Sequence, residues 1–223
     1  MNTDTIEQQE VKVKESEGLL SKRRKKIVSD PLNDDNPITV QVLGICSALA
    51  VTTQMKPTFV MSLSVIFVMV FSSLIISALR KLIPSRVRII VQLAVIATLV
   101  ALVDQVLKAY LYDVSKLLSV FVGLIITNCI VMGRLEAFAM GNKPYDSVLD
   151  ALGSALGYSW IILAVAFFRE LLGSAAVFGF PVFESVGIER FPTNGLMVTP
   201  VGAFFVLGLI IWVQRTKTGY VEH

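Results

Sequence analysis

The chain has 223 residues, 54% of them hydrophobic and only 17% charged, with a formal net charge of +3. Globular domains carry nearer a quarter charged residues, and here the deficit is concentrated in six runs without Asp, Glu, Lys or Arg: 36–55, 57–79, 89–103, 117–133, 151–168 and 191–214. A single buried globular core accommodates one or two such runs but not six, and the small positive charge is no nucleic-acid signal.

A helix needs about 20 apolar residues to cross about 30 Å of hydrocarbon, with about 17 as the lower limit. Runs 57–79 and 191–214 are long enough and 151–168 is adequate, while 89–103 and 117–133 are short. The economical reading is an all-α, polytopic membrane protein of six spans. With six spans the N-terminus, the loops 80–88 and 134–150 and the C-terminal end share one side. That side holds most of the 20 basic residues, among them Lys22 to Lys26, Arg80, Lys81, Arg86, Arg88, Arg134 and Arg215. The excess of Lys and Arg in cytoplasmic loops then places both termini in the cytoplasm.

Residues 1–35 are polar and without hydrophobic periodicity, so they are expected to be a disordered cytoplasmic tail. Residues 1–21 hold mixed charges and no apolar core, unlike a signal peptide. The cluster Lys22-Arg23-Arg24-Lys25-Lys26 sets topology, or lies on anionic lipid. Asn36 followed by Pro37 fits a helix N-cap with proline at the first helical position.

Span 1, about Ile38 to Thr53, is interrupted by Gln41, Gly44, Ser47, Thr52 and Thr53. Small and polar residues of this kind mark packed interfaces or broken helices. Span 2, Phe59 to Ala78, is long and regular, and a basic turn ending at Arg88 leads to span 3, Ile89 to about Val103. Residues 104–116 alternate charged and apolar positions, with Asp104, Lys108, Tyr110, Tyr112, Asp113 and Lys116. They read as an interfacial segment or as the continuation of span 3. Span 4, about Leu117 to Met132, carries Thr127, Asn128, Cys129 and Gly133 in its second half. Span 5, about Val148 to Phe168, opens with Gly153, Ser154, Ala155 and Gly157, a face suited to close packing. An external loop from Gly173 to Gly195 holds Phe178, Phe180, Phe183 and Phe191, aromatics that anchor at the interface or cover a site. Span 6 runs from Leu196 to Val213.

The membrane domain, 36–215, divides into halves of about 36–113 and 114–215, followed by a short tail, 216–223. Three spans per half is an odd number, so the second half enters from the opposite face, the arrangement of an inverted repeat. Spans 1 and 4 each open a half, each is interrupted, and each carries one of the two cysteines, Cys46 and Cys129. At about 1.5 Å per residue, Cys46 lies roughly 13 Å past Pro37 and Cys129 roughly 18 Å past Leu117. Both depths are near the middle of the membrane. By pattern alone a cysteine in an apolar helix packs as a small hydrophobe. The alternative is a thiolate metal site, and iron–sulfur clusters take four thiolates. Two cysteines make half of one.

Longer blocks of sequence change the weights. They are Val42-Leu43-Gly44-Ile45-Cys46-Ser47-Ala48-Leu49-Ala50-Val51-Thr52-Thr53, the run from Val87 to Gln92, the run from Val103 to Tyr110, the run from Gly123 to Met140, Phe167-Phe168-Arg169-Glu170-Leu171 and Asn194-Gly195-Leu196-Met197. With these blocks, residues 36–215 resemble the D-subunit family of the Na⁺-translocating NADH:quinone reductase (Nqr), a bacterial respiratory translocase. The related E subunit of the Rnf complex, a ferredoxin:NAD⁺ oxidoreductase, is similar in the same places, but the two cysteine blocks are closer to the Nqr version. The resemblance does not cover residues 1–35.

The resemblance implies a subunit that is not catalytic alone. In the family, the D and E subunits are six-span chains of opposite orientation, and each gives two cysteines to one intramembrane [2Fe–2S] cluster. Cys46 and Cys129 match those positions. Electrons from NADH pass through FAD and a further [2Fe–2S] centre, cross by the shared cluster, and reach ubiquinone through FMN and riboflavin, coupled to Na⁺ export. NADH, the flavins and quinone are held by other subunits among A, B, C, E and F, in the bacterial inner membrane. No nucleic acid is involved.

Among the remaining polar residues, Thr127 and Asn128 are placed to hydrogen-bond near the cluster sulfurs. Asp104 either steers Na⁺ or, the simpler reading, pairs with Lys108 one helical turn on. Arg169 and Glu170 read as structural pairs at the outer end of span 5, and Arg134 and Glu136 as anchors beside the Cys129 helix. His223, at the chain end, is a poor ligand. A reading of another class, an inverted-repeat secondary transporter or channel, expects ionisable residues inside the spans. The six runs contain none.

Overall fold

The computed structural model describes residues 28–29, 31, 36–84, 86–110, 123–174, 176–177, 180–181, 195 and 199–218. The basic cluster 22–26, Tyr112, Asp113, Lys116, the start of span 4 at Leu117, Phe178, Phe183 and Phe191, the start of span 6 at Leu196, and His223 lie outside them. Among the described residues the bounded helices are α1 Ile45–Val51, α2 Met55–Leu79, α3 Arg88–Tyr110, α4 Cys129–Arg134, α5 Pro144–Ser174 and α6 Pro200–Thr218. A π-helical turn, Leu135–Ala139, continues α4. Ala176–Val177 (β1) and Phe180–Pro181 (β2) pair as a two-residue antiparallel ladder, the only strands among the described residues.

Among the described residues, α2, α3 and α5 are long and apolar enough to cross a membrane, and α6 is apolar but shorter. Spans 1 and 4 are interrupted, as their polar residues suggest. Their helices have 7 and 6 residues, roughly 10 Å of rise each. The cause is local. Gly44 adopts a left-handed φ of 81° before α1, and Asn128 is extended before α4.

Helix α2 starts after Gln54 in extended conformation, with Pro57 in its first turn, where the missing N–H costs nothing. It buries Met61, Val65, Val68, Met69, Ser72 and Ile76 and exposes Phe59, Leu63, Phe67, Phe71 and Leu74. Its buried face packs on α5, and the two run antiparallel. At one end the Met55 N–H donates to Glu170 Oε2 at 2.5 Å. At the other, Ser77 Oγ and Arg80 Nη1 donate to the Asn142 carbonyl at 2.8 and 2.6 Å. The small-residue face of α5 allows this approach: Gly153, Ser154, Ala155 and Gly157 are all buried. Gly157 also admits the entering chain, since a Cβ there would stand 2.5 Å from the Pro31 carbonyl oxygen.

Helix α3 does not stop at Val103 but runs on through Asp104 and Lys108 to Tyr110. Segment 104–110 is thus the continuation of span 3. On the side where α2 ends, Arg134 Nε donates to Asp150 Oδ2 at 3.0 Å. Arg88 pairs with Glu136, whose carboxylate also accepts from Gln92 Nε2 at 3.0 Å. The Arg134 helix is anchored by these pairs.

At the opposite end Arg169 and Glu170 bracket the α1–α2 break. Buried Arg169 donates to the Leu49 carbonyl at 3.3 Å and Thr52 Oγ1 at 2.7 Å, both at the end of α1, and to the Thr199 carbonyl at 3.2 Å. Glu170 caps the start of α2. A cation at a helix C-terminus and an anion at an N-terminus are each favourable. Replacing Arg169 by methionine removes the donor from the buried Thr52 hydroxyl, at about 1–3 kcal/mol for a buried acceptor left bare, and from two part-buried carbonyls. A lower unfolding temperature of the purified protein is expected, with Arg169→Lys intermediate. An unchanged melting curve for Arg169→Met would contradict this role.

Candidate functional site

The first segment reaches Cys46 by a tight path. Asn36 Oδ1 accepts the Ile38 N–H at 3.0 Å, so Asn36 caps as its sequence suggests. Only one turn follows. The Asn36 carbonyl accepts from Val40 and Gln41, and the Pro37 carbonyl accepts from Leu43 at 2.8 Å. The backbone then passes through positive φ at Val42, 58°, and at Gly44, 81°. Positive φ is strained for a β-branched residue and permitted for glycine. Asn36 Nδ2 also donates to the Gly157 carbonyl at 3.3 Å, which ties this loop to the middle of α5. Counting helical rise from Pro37 therefore misjudges the path to Cys46, because residues 36–44 fold back on themselves.

The second segment reaches Cys129 after a helical turn over 123–126 and a break at Thr127 and Asn128. Asn128 Oδ1 caps α4 by accepting the Ile130 N–H at 3.4 Å. That break interrupts the helical rise before Cys129.

The two segments meet. The Gly44 N–H donates to Cys129 Sγ at 3.2 Å. Leu43 lies against Gly133, where a Cβ would come within 3.3 Å of its Cδ1. Behind them, Tyr158 at the middle of α5 touches both. Its hydroxyl lies 2.6 Å from Ser47 Oγ and 3.5 Å from Asn128 Nδ2. Ser47, Asn128 and Tyr158 are buried. Cys46 and Cys129 are exposed. Neither thiol is packed into the core of this chain.

The structure thus brings Cys46, Cys129 and Asn128 into one neighbourhood. Asn128 does not bond to sulfur: its amide serves α4 and Tyr158, and the donor to sulfur is the Gly44 backbone. Thr127 is exposed. Asp104 sits on α3, with Lys108 Nζ 2.6 Å from its carboxylate. Two contributors escape a reading of the sequence. Gly44 has a signal, a glycine directly before a polar break. Tyr158 has none, since nothing in span 5 links it to residues more than a hundred positions away.

Among the described residues no group of three or more His, Cys, Asp or Glu is placed to hold a metal ion. Cys46 and Cys129 offer two exposed thiols. That number is too small for a closed tetrahedral or four-thiolate site and is suited to one completed from outside the chain.

A family model described as "Rnf-Nqr subunit, membrane protein" matches residues 24–211. A protein of Photobacterium profundum, named as the D subunit of a Na(+)-translocating NADH-quinone reductase, is 56% identical over 196 residues, covering 87% of this chain and 93% of that one.

Proposed function

Because the chain belongs to the Rnf-Nqr family of membrane subunits, we propose that it is an electron-relay subunit of a Na⁺-translocating NADH–quinone reductase, with Cys46 and Cys129 as two of the four ligands of a [2Fe–2S] cluster shared with an E-type subunit. A [2Fe–2S] cluster supplies a one-electron carrier between donor and acceptor subunits. This chain's residues hold and shape half of its site. The two thiolates occupy two ligand positions, and the Gly44 N–H stabilises charge on the Cys129 sulfur. Tyr158, Ser47 and Asn128 keep the two loops in contact. The reading includes two inverted three-helix halves, cytoplasmic termini and electron passage from the cytoplasmic to the periplasmic side, coupled to Na⁺ export. The antiparallel packing of α2 on α5, the first long helix of each half, supports the inverted repeat.

The observation that carries the proposal is the convergence of two broken segments that leaves both thiols on the surface at the middle height of α5. It is tested by measuring non-haem iron in the chain purified alone and in the complete membrane complex. Iron dependent on this chain is expected only in the complex. A full iron load in the isolated chain would overturn the shared site.

A further inference from the structure

One donor order gives every polar group behind the two cysteines a partner. Ser47 Oγ donates its single proton to the Gly44 carbonyl at 2.8 Å. In the contact with Tyr158 it is therefore the acceptor, and the Tyr158 hydroxyl is the donor, at 2.6 Å. That hydroxyl accepts in turn from Asn128 Nδ2 at 3.5 Å. The other end of the Asn128 amide accepts the Ile130 N–H. The order also fixes the orientation of the Asn128 amide, because a tyrosine hydroxyl has one proton to give.

Traced from Asn128, the path runs through Tyr158 and Ser47 to Gly44, and from the Gly44 N–H to the sulfur of Cys129, the residue next to Asn128. The ring is closed. It crosses between the two cysteine segments twice, once through the sulfur and once through Tyr158. Tyr158 is the only member from a third element. Its ring also supports Gly44 from behind, since a Cβ at Gly44 would stand 3.0 Å from Tyr158 Cε2. The hydroxyl thus has a geometric task separate from the packing of the aromatic ring.

We infer that Tyr158 is a positioning residue: its hydroxyl locks the Cys46 and Cys129 loops in register, so that the Gly44 N–H points at the Cys129 sulfur. The inference rests on the cluster reading above and adds to it a residue that touches no metal. Hydrogen bonds to ligand sulfurs are among the determinants of the reduction potential of an iron–sulfur centre, because they favour the more negative, reduced state. Loosening the Gly44 donor should therefore lower that potential.

The test is a redox titration, followed by EPR, of the complete complex carrying Tyr158→Phe, which removes one oxygen and keeps the ring. The reduction equilibrium is expected to shift toward the oxidised form by about tenfold, which is about 59 mV for a one-electron couple, with iron content retained. Ser47→Ala, which removes the acceptor of the Tyr158 proton, should shift the titration in the same direction. Loss of iron from a fully assembled Tyr158→Phe complex would also support the positioning role. Wild-type potentials with full iron in both variants would overturn it. The cluster reading fails separately: if the signal and the iron of the complex do not depend on Cys46 and Cys129, that reading falls whatever Tyr158→Phe does.

Discussion

Alanine at either Cys46 or Cys129 is expected to abolish NADH-driven quinone reduction by the assembled complex. Changing even the groups that hydrogen-bond to metal ligands costs about 10–100-fold, so loss of a ligand should exceed about 100-fold. NADH oxidation by a soluble acceptor at the cytoplasmic subunit should continue, because the proposed relay places that chemistry upstream of this chain. The contrast separates a broken relay from a misassembled complex. Both cysteines are exposed, so neither substitution opens a cavity in the core of this chain. Near-normal quinone reduction in either variant would remove that cysteine from the relay.

The second large effect is expected at Gly44. Its φ of 81° costs an L-residue about 1–2 kcal/mol. A Cβ there also stands 3.0 Å from Tyr158 Cε2 and 3.5 Å from Asn128 Oδ1. Alanine must therefore push Tyr158 aside or turn the backbone. Either movement redirects the Gly44 N–H that reaches Cys129. Gly44→Ala should lower iron content and turnover together, and Gly44→Val, with a branched Cβ, should remove both. Gly208, in α6, has nothing within 4 Å of its virtual Cβ and no positive φ, so Gly208→Ala should leave iron and turnover unchanged. If Gly44→Ala behaved like Gly208→Ala, the tight contact of the two loops would not matter to the site.

Much of this architecture is legible in the chain as written. The uncharged runs locate α2 and α5, and the polar interruptions locate the two breaks, because a hydrocarbon-length helix leaves little room for Gly44 or for Asn128 followed by Cys129. The cap at Asn36 follows from ordinary N-cap chemistry, whereas the cap at Asn128 shows only in the structure. What the pattern does not carry is the shape of a break. Helical rise implies that Cys46 lies some distance along a helix from Pro37, whereas residues 36–44 turn twice through positive φ. Charge patterning leaves 104–110 as either an interfacial segment or a continuation of span 3, and the Asp104–Lys108 pair, one turn apart, sits within the continuing helix.

The site itself divides along the same line. Cys46 and Cys129 stand out because they are the only two cysteines and sit in matching segments. The donor to sulfur is a backbone amide, which nearly any residue type carries, so only the loop geometry reveals it. Tyr158 reaches Ser47 across 111 positions, a contact that local periodicity does not encode. Arg169 and Glu170 are visible as charges at the end of a span. Their task of holding the α1–α2 break appears only once those helix ends are in place.

The most direct measurement is the iron content and reduced-state EPR spectrum of the purified complex in four forms: wild type, Cys46→Ala, Cys129→Ala and the double variant. If both thiols serve one site, the three variants should lose the same signal and the same iron, with the double variant no worse than either single one. Two different signals lost in the two single variants, or additive partial losses in the double, would contradict the convergence of the two broken segments on one shared centre.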